Sequence, residues 1–166
     1  MNVKKYFIVL FGSFITISMV FYLVNLTDNH IWLASLASST ALLFTASNHS
    51  VAQPRALILG HLICALIGIL LYDFFGDHWW VLSMSLSLGI FLMLLSRTFH
   101  PPAAANTVIM IHVHASFMIL ISTILLGTVS LVILTAIITR VMKSKTPYPT
   151  YWFAPSPKAR DCGIKH

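Results

Sequence analysis

The sequence predicts an all-α fold, a polytopic transmembrane helical bundle of five full spans plus one short or broken helix. Three observations predict it. Hydrophobic residues make up 58% of the 166 residues and charged ones only 8%, with mean hydropathy +0.88. Soluble domains carry about 25% charged residues, so a water-facing surface is not available to this chain. Apolar runs of the roughly 20 residues needed to cross a bilayer recur until they consume most of the length. The ten Lys and Arg residues collect at the ends of those runs and in the tail, where basic residues orient a membrane protein. That distribution excludes nucleic acid as the reason for a formal charge of +6 and makes the lipid bilayer the expected partner.

The spans are expected at 6–26, 31–47, 54–74, 79–96 and 115–140, with a shorter element at 101–113. The N-terminal run from Tyr6 to Leu26 is too long for a signal peptide and lacks a small-x-small cleavage site, so it reads as a retained span. Six elements put Lys4, Lys5, Arg55, Arg97, Arg140, Lys143, Lys145, Lys158, Arg160 and Lys165 on one side, and Asp28, Asp73 and Asp77 on the other. Both termini are then expected in the cytoplasm, in a membrane of the bacterial inner (plasma) membrane type. Trp32, Trp79 and Trp80 mark one interface; Tyr148, Tyr151 and Trp152 mark the other. Residues 1–145 form one membrane domain. Residues 146–166 form a Pro-rich cytoplasmic tail, where Pro147, Pro149, Pro155 and Pro157 oppose a helix.

The short element carries the candidate chemistry. From Pro101 to Val113 a helix reaches only about 20 Å, roughly 10 Å short of the hydrocarbon thickness. A link that dips into the bilayer has to be buried in protein or line a wet cavity, so a broken helix here marks a pathway. Prolines at a first turn followed by small residues expose backbone N–H groups at a positive helix end, which is an anion site. The expected substrate-binding set is Arg97, Thr98, His100, Pro101, Pro102, Ala103 and Asn106, joined by Gln53 and Arg55 at the start of the third span. The plainer reading makes the prolines helix punctuation and the arginines topology determinants on lipid phosphates.

His61 and His112 lie within apolar runs and are the expected proton-handling pair, since intramembrane histidines often carry function. The alternative for each is a neutral side chain packed between helices. A shift of 51 residues superimposes His49 on His100, Ala52 on Ala103 and His61 on His112, the mark of a possible parallel repeat. His112 and His114, two apart, diverge on a helix and cannot chelate together. A zinc site needs His30, His78 and the outer aspartates to converge, so no metal and no cofactor is expected. Cys64 and Cys162 form no disulfide framework. Ser35, Ser38, Ser39, Thr40, Ser83, Ser85 and Ser87, with Gly60, Gly68 and Gly89, read as close-packing positions. No catalytic constellation is present, and the chain is not expected to be an enzyme.

Ser-Arg-Thr-Phe-His-Pro-Pro-Ala-Ala-Ala at 96–105 resembles the signature of the HPP family of integral membrane proteins. Ala52-Gln53-Pro54-Arg55 with Gly60-His61 is similar to that family's second motif, and Tyr148-Pro149-Thr150-Tyr151-Trp152 to its closing one. The likeness runs from about Ala34 to Phe153. It implies a compact multi-span domain, originally described as four spans, and some plastid and cyanobacterial members are nitrite transporters. Ala104 stands where glycine is commonest, and Ala46-Ser47-Asn48-His49-Ser50-Val51 lacks the two prolines of the family's first loop. The expected function is a permease or channel for a small inorganic anion, nitrite foremost. The alternatives are a permease for another small solute and a non-transporting scaffold or accessory subunit, and a homo-oligomer is compatible with each.

Overall fold

The computed structural model describes residues 3–26 and 33–154. Among them the chain is helical, with six segments in the predicted order. Helix α1 is Val3–Asn25, α2 Leu33–Thr45, α3 Pro54–Phe75, α4 Trp79–Leu95, α5 Ala105–His112 and α6 Phe117–Val141. Three of them, α1, α3 and α6, are long and apolar enough to cross a membrane. Helix α4 has 17 residues and α2 has 13, about 25 Å and 20 Å at 1.5 Å per residue. The Thr27–His30 loop, Trp32, and the tail from Pro155 onward lie outside the described residues.

The outward and inward faces invert the usual soluble pattern. Phe14, Tyr22, Phe91, Leu95, Ile121 and Val141 are exposed, whereas Thr16, Ser39, Thr128, Thr135 and Thr139 are buried. Buried hydroxyls are mostly satisfied one turn back. Thr40, Thr128 and Thr139 donate to the carbonyls of Leu36, Ile124 and Thr135 at 2.9, 2.8 and 2.8 Å. A hydroxyl paired this way makes no demand on lipid.

Helix starts and stops follow local chemistry. Pro54 opens α3 in the first turn, where a missing N–H costs nothing. Three C-termini close through a residue with positive φ: Arg97 (57°), His114 (49°) and Lys143 (51°). The next amide in each case reaches back five residues: Thr98 to Met93, Ala115 to Met110 and Ser144 to Thr139. This is the Schellman closure, usually made by glycine. No glycine advertises these three ends in the sequence.

The short segment is seated by missing side chains. A four-residue 3₁₀ turn, Pro101–Ala104, leads into α5, and the two together reach about 20 Å. A methyl on Gly68 of α3 would lie 2.6 Å from the Thr107 carbonyl oxygen, and one on Gly89 of α4 would lie 2.9 Å from Thr107 Cγ2. Helix α5 thus rests between α3 and α4 at backbone contact, the close approach that small residues allow in membranes. Gly60 does the same for the preceding loop, with the Thr98 carbonyl 3.0 Å from its would-be Cβ.

Charge divides between the two ends of the bundle. Arg55 opens α3 and Asp73 sits in its last turn, 22 residues of helix spanning the difference. Tyr148 departs from expectation. It is fully buried, not an interfacial anchor, because the tail turns back over the α6 terminus and packs Tyr148 into the core with Leu43, Phe44 and Leu57. Residues 146–151 are non-helical, as the prolines require, yet they form part of the packed bundle.

Gly68→Ala is expected to lower stability by about 1–3 kcal/mol, the scale of overpacking against backbone. Leu66→Ala, on a side chain 40% exposed, should cost far less. Thermal unfolding of both variants in detergent checks the difference; equal midpoints would contradict the seating of α5.

Candidate functional site

Three side chains from separate elements meet in the interior. Ser39 of α2 lies with Oγ 2.9 Å from His100 Nε2 and 3.4 Å from His61 Nε2. All three residues are inaccessible to solvent, and the two imidazole centroids are 5.1 Å apart. The far nitrogen of each ring faces a carbonyl oxygen: His61 Nδ1 at 2.9 Å from Leu57 O, His100 Nδ1 at 2.6 Å from Val51 O.

Hydrogen counting assigns the roles. A carbonyl only accepts, so both Nδ1 atoms carry hydrogen and donate. In the neutral rings both Nε2 atoms are then lone-pair acceptors. The Ser39 hydroxyl, which also sits 2.8 Å from the Ser35 carbonyl, brings one hydrogen to three acceptors. One further proton on either Nε2 eases the competition: that nitrogen donates to Ser39 Oγ, and the hydroxyl then has two acceptors to choose between, the other ring and the Ser35 carbonyl. The triad is therefore a short hydrogen-bonded path between two imidazoles. A buried charge is costly, so a ring carrying a second proton would be disfavoured here.

Around this triad the expected residues divide. Asn106, in the first turn of α5, is fully buried, and neither carboxamide atom has a partner among the described residues. Leaving such a group unpaired costs about 1–3 kcal/mol or more. Thr98 is buried and its hydroxyl lies 2.7 Å from that of Ser96. Pro101 is exposed and Pro102 half-buried, while Ala103 is buried and spends its N–H on the His100 carbonyl at 3.0 Å. The expected row of open amides is thus shortened, since two prolines bring none and Ala103 uses its own.

The basic and amide groups hold loops. Arg55 donates from Nη1 to the Arg97 carbonyl at 3.0 Å and from Nη2 to the Ser96 carbonyl at 3.2 Å. It caps the α4 C-terminus, where orphan carbonyls and the negative dipole end favour a cation. Gln53 is buried and saturated. Its Nε2 donates to the Ser47 and His49 carbonyls at 2.8 and 3.0 Å, and its Oε1 accepts from the amides of Thr150 and Tyr151 at 3.0 and 3.4 Å.

His112, expected to pair with His61, stands apart from it. It is the last residue of α5, its side chain 56% exposed and 3.1 Å from Asp77 Oδ2, in the loop before α4. His61 instead meets His100, at the opposite end of the same short segment. The sequence reading missed Ser39, which was one hydroxyl in a dense run. Its partners lie 22 and 61 positions away, and no local spacing shows them. Among the described residues no group of three or more His, Cys, Asp or Glu is placed to hold a metal ion.

Gln53→Ala is expected to release the 148–151 segment while the helices stay folded. Limited proteolysis should then cut the tail at least tenfold faster, the ratio for the roughly 1.4 kcal/mol that two lost hydrogen bonds represent. An unchanged cutting rate would contradict the role of Gln53 as tail anchor.

Residues 1–149 match the family model described as HPP, transmembrane region. Two transmembrane proteins of Dictyostelium discoideum are similar. One is 29% identical over 129 residues, covering 73% of this chain and 45% of its own length. The other is 27% identical over 152 residues, covering 86% and 49%. The chain thus spans about half the length of the curated relatives it matches. No solved structure matches it. With its apolar helices and a match over most of its length, the chain is an integral membrane protein that belongs to the HPP transmembrane family.

Proposed function

We propose that this protein is a permease for a small inorganic anion, nitrite foremost, that moves its substrate together with a proton. The observation that carries the reading is the buried, hydrogen-bonded Ser39–His61–His100 triad, beside the turn that leads into the short helix. Interrupted helices in membrane proteins mark substrate pathways, because backbone outside a regular helix must be buried in protein or line a cavity. Asn106, buried with an unpartnered carboxamide in the first turn of α5, supplies a donor and an acceptor for a small polar solute. Thr98 adds a hydroxyl, and Arg97 stands at the loop before it. Arg55 acts in this account by fixing the Arg97 carbonyl, not by touching substrate.

In the bilayer, α2 and α4 complete five crossings beside α1, α3 and α6, with local thinning around the shorter pair. The end carrying Lys4, Lys5, Arg55 and Arg140 faces the cytoplasm of a bacterial inner membrane.

A second reading has a specific observation behind it. Gln53 and Arg55 are spent on internal hydrogen bonds, as a non-transporting scaffold would use them.

Nitrite entry into proteoliposomes holding the purified protein separates the two. Under the permease reading, entry rises as the outside pH falls, and Ser39→Ala removes that dependence. The same change slows entry on the order of a hundredfold, the scale of one positioned proton donor. Entry no faster than in empty liposomes, from protein with the wild-type unfolding midpoint, would leave the scaffold.

A further inference from the structure

A cavity of about 280 Å³ lies at the basic end of the bundle, away from the histidine triad. It has room for about nine waters at about 30 Å³ each. Three parts of the chain bound it: the start of α1, the end of α2 with the loop after it, and the end of α6 with the turn after it. Lys4 and Lys5 come from the first, Ser47 from the second, Lys143 and Lys145 from the third. Its deep wall is apolar, with Ile8 and Phe44 both 8% exposed. No carboxylate lines it among the described residues.

Four exposed lysines rim one concavity that no acidic side chain lines among the described residues, which makes it attractive to an anion. The α2 and α6 C-termini offset only a part, each contributing a negative end of about half a charge. Of the lining hydroxyls, Ser47 and Ser144 donate to Thr146 at 3.3 and 3.4 Å, and the Thr146 hydroxyl keeps a hydrogen to offer an anion. An apolar wall under a basic rim fits one chemistry above others: a phosphate joined to hydrocarbon.

The backbone sets the shape of the cavity. Lys143 holds a positive φ of 51° that glycine would adopt without steric cost, and its amide is fixed by the Arg140 carbonyl at 3.0 Å. Helix α1 widens to π-helical turns over Ile8–Gly12, where it forms one wall of the cavity. Gly12 lets Phe44 approach to 2.6 Å from its would-be Cβ, which sets the floor.

We propose that this cavity binds a phosphate-bearing anion, with the phosphodiester headgroup of an anionic phospholipid as the source that its apolar wall selects. Basic pockets between helices at the cytoplasmic side recognise such headgroups. The site is independent of the transport reading: a scaffold would bind the same lipid.

The test uses the purified full chain in neutral detergent, titrated with short-chain fluorescent phosphatidylglycerol, with phosphatidylcholine and inorganic phosphate as competitors. Saturable phosphatidylglycerol binding that phosphatidylcholine does not displace is expected. Each ammonium removed by Lys4→Gln, Lys5→Gln or Lys145→Gln should weaken it about fivefold. Lys143→Gly removes an ammonium while relieving the left-handed backbone, and an unchanged unfolding midpoint assigns its loss of affinity to the lost charge. Lys143→Arg should retain binding. Displacement by inorganic phosphate at matching concentration would assign the site to free phosphate. Equal binding of phosphatidylcholine, or full affinity in Lys143→Gly and Lys145→Gln together, would overturn the proposal.

Discussion

The arrangement depends on backbone contact between α5 and the face of α3 that carries Gly60 and Gly68. A helix of eight residues cannot cross a bilayer, and its polar ends would be unsatisfied in lipid. Held at the Gly68 position against the Thr107 carbonyl, it is enclosed by protein on that side. The same contact, one loop earlier, brings His100 over Gly60 and so to His61 one residue along. The histidine pair is therefore a consequence of two absent side chains. With larger residues there, α5 would stand off and Ser39 could not bridge the rings.

From that seating the rest of the basic end follows. The loop before α5 closes α4 through Arg97, and Arg55 reaches across from α3 to take the two carbonyls left over. Gln53, the residue before α3, ties the 47–49 loop to the tail, and Arg140 Nη1 donates to the Tyr148 carbonyl at 2.7 Å. Loops and tail are knit by hydrogen bonds from long side chains to backbone carbonyls. Such links tolerate the lack of regular structure near a membrane surface, where an unpaired carbonyl is costly.

Hydropathy made the helical class and the order of the segments legible, because lipid rewards apolar runs, and the one-sided Lys and Arg residues made the short fifth one count as a sixth element. The packing role of Gly60, Gly68 and Gly89 was legible for the same reason. Lengths were less so. Apolar residues continue past the point where a helix stops, as at His112, where closure falls to His114 in a left-handed conformation that no glycine announces. The 51-residue offset pairs two turns of like geometry and one pair of unlike histidines. Ala52 and Ala103 each donate to a histidine carbonyl three residues back, at 3.1 and 3.0 Å, from matching 3₁₀ turns. The third pair diverges, since His61 is central in a 22-residue helix and His112 ends an eight-residue one. Ser39 was illegible because a serine in a small-residue run is equally a packing residue. Only the tertiary fold supplies its two imidazole partners.

The central claim is that Ser39 joins two imidazoles that each hold hydrogen on Nδ1. Nitrogen-15 magnetic resonance of ring-labelled histidine in the purified protein reads this directly, with His61→Ala and His100→Ala assigning the signals. The account predicts protonated Nδ1 and bare Nε2 for both residues near neutral pH, with the Nε2 signals of both shifting in Ser39→Ala. A neutral ring found with hydrogen on Nε2, or Nε2 signals indifferent to Ser39, would contradict it.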